Sequence, residues 1–313
     1  MPSKVDDGGV MIWGLLLHLG YNMWSDREAP ESGTEHIFAQ PYLRRDGSLW
    51  GDLTARAADA GLNMIVIDLG EGVRYESHPE LAVEGAWAPD ELRAELARLR
   101  GLGLEPIPKL NFSATHDAWL GEYSRCVSTP RYYQVCQDLI GEVCALFDGP
   151  RLFHLGMDEE TWQHQRHYAY VVIRQHELWW HDLAFLVEQV ERLGSQAWVW
   201  SDYAWSHGEY YQQMPRSVLQ SNWYYGMQFD PPCNEVATYQ RLADAGYVQI
   251  PTGSNWTTPE NMEWTVAYCQ ENLAAEGLSG FLMTAWKPTL LGERERHEQA
   301  IDLMGAAKAL WEA

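Results

Sequence analysis

Two adjacent carboxylates, Asp158 and Glu159, close the stretch Arg151-Leu-Phe-His-Leu-Gly-Met-Asp-Glu159, with His154 and Gly156 just upstream. The short apolar run in front of them reads as a buried strand. Side chains alternate along a strand, so His154, Gly156 and Asp158 share one parity and Glu159 has the other. Both carboxylates reach one pocket only if the strand ends and the backbone turns there. A strand that stops on an acidic pair suits general acid–base chemistry. The structural alternative is that Asp158 caps the next helix and Glu159 sits in its first turn.

The elements that must position this pair alternate along the chain. Strand-like runs are Val10–Leu19, Asn63–Asp68, Leu104–Asn111, the stretch ending at Glu159, Gln196–Asp202, Ser217–Tyr225, Tyr247–Trp256 and Ser279–Trp286. Helix-like stretches lie between them, near 52–60, 89–101, 130–147, 175–193, 208–214, 234–245, 259–276 and 294–310. Gly61, Gly101, Gly194 and Gly246 act as stop signals, and Pro89 and Pro259 as starts. A polar loop with Trp24, Asp26 and Pro30 follows the first strand. Eight strand–helix units imply an α/β fold, a (β/α)8 TIM barrel, with residues 1–313 as a single domain. A doubly wound open sheet would want a Gly-rich turn after the first strand, and His18-Leu-Gly-Tyr-Asn is not one.

In such a barrel the C-terminal strand ends build the site. Here they carry His18 and Trp24, Asp68, Asn111 and His116, Asp158 and Glu159, Trp200 and Asp202, Trp223 and Tyr225, Asn255 and Trp256, and Trp286. Flat Trp and Tyr faces pack on the C–H face of a pyranose, while Asp, Asn and His bond its hydroxyls. Basic residues are few there, which argues against a phosphorylated substrate. Sixteen tryptophans are present, and many must be core.

The formal charge of −22 argues against nucleic acid or an anionic membrane as partner. Five cysteines at wide spacing, with no Cys-x-x-Cys, argue against a disulfide framework or zinc knuckle. The N-terminus lacks the basic flank and cleavage site of a signal peptide. The apolar run 10–19 is too short to span a bilayer. A cytoplasmic protein is expected, with no cofactor and no metal.

His154-Leu-Gly-Met-Asp-Glu159 resembles the His-x-Gly-Gly-Asp-Glu signature of the family 20 glycoside hydrolases, the β-N-acetylhexosaminidases. Other bacterial β-N-acetylgalactosaminidase families share the acidic pair and the barrel. The resemblance implies an amino-sugar glycoside as substrate and retaining, substrate-assisted hydrolysis. In it, the substrate's 2-acetamido oxygen attacks its own anomeric carbon to form an oxazolinium ion. Glu159 would be the general acid and then the base for water. Asp158 would orient the acetamido N–H and offset the developing charge. A Trp-rich setting is expected to keep Glu159 protonated. The resemblance further implies that Asp68 pairs with His116 to support Glu159. Trp200, Trp223 and Trp286 would wall the acetamido pocket, with Asp202 beside them. Tyr225, with Tyr224 close behind, would bond the acetamido oxygen.

Two positions depart from that pattern. Met157 replaces the second Gly, which is expected to narrow the pocket or tilt the strand end. Lys287-Pro288 stands where the family places a sugar-binding Glu, leaving GalNAc against GlcNAc open, with a slight lean to GalNAc. Two other classes compete. One is a metal-dependent barrel hydrolase or isomerase built on His18, Asp68, His154 and Asp158. The other is a non-catalytic carbohydrate-binding barrel, which would not need the acidic pair.

Overall fold

Eight short strands carry apolar side chains on both parities, so each must be covered on both faces. The computed structural model describes residues 10–27, 36–230 and 232–312. Residues 1–9 and Pro30, the start of the chain and part of the polar loop after the first strand, lie outside these. The strands are β1 (Ile12–His18), β2 (Met64–Asp68), β3 (Glu105–Lys109), β4 (Leu152–His154), β5 (Gln196–Trp200), β6 (Leu219–Ser221), β7 (Thr252–Ser254) and β8 (Gly280–Thr284). They form one parallel sheet in the order β6-β5-β4-β3-β2-β1-β8-β7. Bridges from Gln220 to Gln249 and from Trp223 to Thr252 join the two ends. The Gln220 amide donates to the Val248 carbonyl at 3.1 Å, and the Ile250 amide to the Gln220 carbonyl at 2.8 Å. The architecture is the expected (β/α)8 barrel.

The connecting helices are α1 (Gly47–Asp59), α2 (Pro89–Gly101), α3 (Pro130–Leu146), α4 (Glu177–Arg192), α5 (Tyr210–Gln213), α6 (Asn234–Asp244), α7 (Asn261–Asn272) and α8 (Arg294–Glu312). Helix α1 starts ahead of the expected Asp52 because Asp46 caps it, accepting the Leu49 N–H at 2.9 Å. Strand β7 is shorter than expected because Pro251 has no N–H to give the ladder. No helix among the described residues is long and apolar enough to cross a membrane.

Strand parity sorts the core into two shells. Leu15, Leu17, Ile65, Ile67 and Phe153 face outward and pack under the helices. Leu16, Val66, Ile107, Leu152, Trp198 and Trp200 face inward and fill the barrel. At the C-terminal end the register aligns His18 with Asp68, Asp68 with Lys109, and Lys109 with His154. This rung replaces apolar filling with charge. Lys109 Nζ sits 2.5 Å and His18 Nδ1 3.2 Å from the same Asp68 oxygen, with Lys109 fully buried.

Candidate active site

Strand β4 stops at His154, and the backbone then turns sharply. Gly156 and Met157 both adopt left-handed φ values, +74° and +73°, and Glu159 follows at +51°. A Cβ on Gly156 would lie 1.9 Å from Asn111 Oδ1 and 2.8 Å from Asn111 Cα, so only glycine fits. Met157 keeps the backbone a second glycine would adopt, at the cost of strain. Its side chain is buried in the outer core, with the sulfur 3.8 Å from Arg174 Nη2. The expectation that Met157 narrows the pocket is therefore corrected, because the turn sends it outward. Residues 155–176 hold no helix, so Asp158 and Glu159 do not cap one.

The turn brings both carboxylates into one cavity of ≈ 400 Å³. Trp24, Trp223, Trp256, Trp286 and Tyr225 wall it, and His116 joins the acids. Asp158 Oδ1 accepts Asn111 Nδ2 at 2.8 Å, and its carbonyl accepts Ser113 Oγ at 2.5 Å. Asn111 Oδ1 in turn accepts the Ser113 and Met157 amides at 3.0 and 3.2 Å. The Glu159 amide donates to Asp202 Oδ2 at 2.8 Å. Burial, joined by the charge of Asp158, raises the Asp202 carboxyl well above its ordinary value.

The Glu159 carboxylate lies between two imidazoles, His116 Nε2 and His164 Nε2, each at 3.4 Å. Burial pushes the Glu159 carboxyl up, but hydrogen bonding to these histidines and their charge more than reverse it, holding it below the ordinary carboxylate range. Burial also pushes His116 down, yet Asp158 and Glu159 pull it above its ordinary value. Both directions run against the expectation that the setting keeps Glu159 protonated. Hydrogen bonds from two imidazoles outweigh the apolar walls.

Glu160 turns the other way. Its carboxylate binds the fully buried Arg174 at 2.7 Å, and Arg174 also pairs with Asp182 at 3.3 Å. This clamp anchors the loop directly behind Glu159.

The remaining expected site residues divide. Asn111 and Asp202 hold the acidic pair from behind. Asp68, His154 and Trp200 lie in the barrel beneath the cavity. Asp68 pairs with Lys109 and His18, not His116: the inward parity of β2 and β3 puts Lys109 in its reach. Burial pushes Asp68 up, but the Lys109 charge and the His18 bond lower it to about 2. His154 Nδ1 accepts the Gly156 amide at 3.0 Å, and its ring packs 4.3 Å from Trp200, which lies 5.8 Å from Trp286. Asn255 is corrected: its Nδ2 donates away from the cavity, to the Arg296 carbonyl at 2.9 Å on α8. The metal set His18, Asp68, His154 and Asp158 is not assembled, since Lys109 already supplies the cation there. Among the described residues, one group offers three metal-ligating side chains, His116, Asp158 and Glu159.

Tyr225 stacks on Trp223 at 4.9 Å, and its hydroxyl accepts Trp286 Nε1 at 3.0 Å. Tyr224 packs instead on Phe229 at 5.3 Å. Trp286 itself has φ +51°, a conformation costly for a bulky side chain. Lys287, beside it, lies 3.7 Å from Glu293. Sequence reasoning missed Ile37, His164, Arg166 and His167, which also line the cavity. The dense run Gln163-His-Gln-Arg-His167 was the available signal, but it lies in a loop without periodicity.

Solved structures similar to this one include glycoside hydrolases. A GH20 exo-β-N-acetylglucosaminidase from Vibrio harveyi, in complex with N-acetylglucosamine, superposes over 93% of this chain with a TM-score of 0.63 at 14% identity. β-N-acetylhexosaminidases from Bacteroides fragilis NCTC 9343 and Streptomyces coelicolor A3(2), the latter a GH20 enzyme, give TM-scores of 0.63 and 0.59 at 14% and 15% identity, each over 93% of this chain. The chain spans 54% of the Vibrio protein, 65% of the Bacteroides protein and 63% of the Streptomyces protein. At these identities the likeness is one of fold: the barrel is built like the GH20 catalytic barrel. No protein-family model matches the chain, and no curated protein matches it by sequence.

Proposed function

We propose that this barrel is a retaining exo-β-N-acetylhexosaminidase that works by substrate-assisted catalysis. The observation that carries this is the pair Asp158–Glu159 facing one aromatic-walled cavity, with Asp158 fixed by Asn111 and Glu159 flanked by His116. The GH20-like fold and the bound N-acetylglucosamine of the Vibrio enzyme support it.

The sugar stacks on the Trp faces, and Tyr225 donates its hydroxyl to the acetamido oxygen, a role that suits a phenol kept protonated by burial. Asp158 accepts the acetamido N–H, turns the oxygen toward the anomeric carbon and offsets the charge of the oxazolinium ion. The proton for the leaving oxygen is shared between His116 and Glu159. A sugar entering the cavity separates Glu159 from the half-exposed His164, removing one hydrogen bond that depresses its carboxyl. Glu159 then carries the proton to the glycosidic oxygen, and its carboxylate afterwards activates water that opens the ring. Either C4 epimer fits this chemistry.

Initial rates on p-nitrophenyl β-GalNAc, β-GlcNAc and β-galactoside test the proposal, with EDTA and a thiazoline inhibitor as controls. Turnover of acetamido sugars alone, blocked by thiazoline and indifferent to EDTA, is expected, and the ratio of the first two assigns the sugar. The three-ligand group His116, Asp158 and Glu159 favours a metal-dependent hydrolase as second reading. Loss of activity in EDTA would replace the first reading with it.

A further inference from the structure

With Glu159 as proton donor of the proposed hydrolysis, on which this inference rests, the scissile oxygen lies at its carboxyl. The sugar ring being cleaved occupies the Trp-walled side. The β4–α4 loop beyond Glu159 therefore faces the leaving group. His164 touches Glu159 itself at 3.4 Å, and Arg166 and His167 continue the same wall of the cavity.

Arg166 places a cation on this wall in a chain that carries twice as many acids as bases, 44 against 22. Many cations elsewhere are neutralised. Arg174, on the same loop, is buried between Glu160 and Asp182. Arg166 differs: it is exposed, and no carboxylate pairs with it among the described residues. Its Nε donates to His167 Nε2 at 3.1 Å. That bond holds the guanidinium beside His167 on the cavity wall, where Arg166 is exposed. A planar, oriented guanidinium binds a carboxylate or a sulfate through paired hydrogen bonds.

We infer that the leaving-group side of the cavity accepts a glycosyl unit bearing an anionic group, carboxylate or sulfate, held by Arg166. The overall negative charge repels such substrates in general, so the local cation acts as a specificity element.

The test compares kcat/KM on three disaccharides with the same terminal acetamido sugar. Their leaving units are glucuronic acid, glucose sulfate and neutral glucose, and each is tried with wild type, Arg166→Gln and Arg166→Glu. At least one anionic unit is expected to be preferred over glucose by about fivefold or more, the scale of a partly exposed charge-assisted pair. The preference should collapse in Arg166→Gln and in high salt, and invert in Arg166→Glu. Which anion wins identifies the source. Equal rates on all three, or a preference that survives Arg166→Gln, overturns the inference while leaving the hydrolase proposal standing. No turnover of any disaccharide or aryl glycoside defeats both.

Discussion

Replacing Asn111 by Asp exchanges one NH2 for an oxygen at the centre of the acidic pair. The Oδ1 bonds to the Ser113 and Met157 amides, at 3.0 and 3.2 Å, can persist, so the turn after β4 should survive. The other atom, now Nδ2 donating to Asp158 Oδ1 at 2.8 Å, becomes a second acceptor. Two unit charges at that separation repel by about 6 kcal/mol at an effective dielectric of about 20. That corresponds to about four pK units, enough for the two carboxyls to hold one proton between them at neutral pH. Asp158 would then no longer offer a full negative charge to the oxazolinium ion. Without that preorganised charge, kcat should fall about 10²–10³-fold, and the deficit should shrink as pH rises and the shared proton leaves. The assay is kcat against pH on the better aryl N-acetylhexosaminide, with circular dichroism melting to verify folding. A folded variant within about twofold of wild type, with an unshifted profile, would refute this account of Asn111 and Asp158.

Arg174→Met leaves Glu160 and Asp182 buried without a cation, and should cost about 3–5 kcal/mol in urea unfolding; a drop under about 1 kcal/mol would show that the clamp is not ionic. Gly156→Ala must either displace Asn111 or open the turn, so activity should collapse together with a stability decrease of about 2 kcal/mol or more. Unchanged kinetics in that variant would contradict the geometry of the turn. His297 is buried on α8, and burial lowers its imidazole from 6.5 to about 4, although the bond to the Pro288 carbonyl opposes this. The unfolded chain binds this proton first, so stability falls as pH drops below about 6.5 and the decrease is complete below about 4, amounting to about 3 kcal/mol. His297→Gln should flatten that window in a series of thermal melts, and an unchanged slope would assign the acid sensitivity elsewhere.

Much of the barrel was legible in the chain itself. Helices α2 and α3 begin at Pro89 and Pro130, and Gly194 follows α4, because prolines and glycines restrict the backbone locally. Strands β1 and β2 were visible as apolar runs, because a strand covered on both faces must be apolar on both parities. The acidic pair was legible for a similar reason: Asp158 and Glu159 are covalent neighbours, and one turn after β4 brings both into the cavity. What the sequence could not decide is which way side chains face once a strand ends. Asn255 follows β7 just as Trp256 does, yet α8 takes its amide outward while Trp256 lines the cavity. Asp68 meets Lys109 and not His116 because the β2–β3 register sets their rung. His164 comes to Glu159, and Arg166 and His167 to the cavity wall, through a loop with no period to read, held by Arg174 against Asp182 on a separate helix. Even the lowered carboxyl of Glu159 follows from this, since two imidazoles brought in from different loops hydrogen-bond it. Local backbone preference is written residue by residue, whereas pocket membership and charge balance arise only when distant segments close on one another.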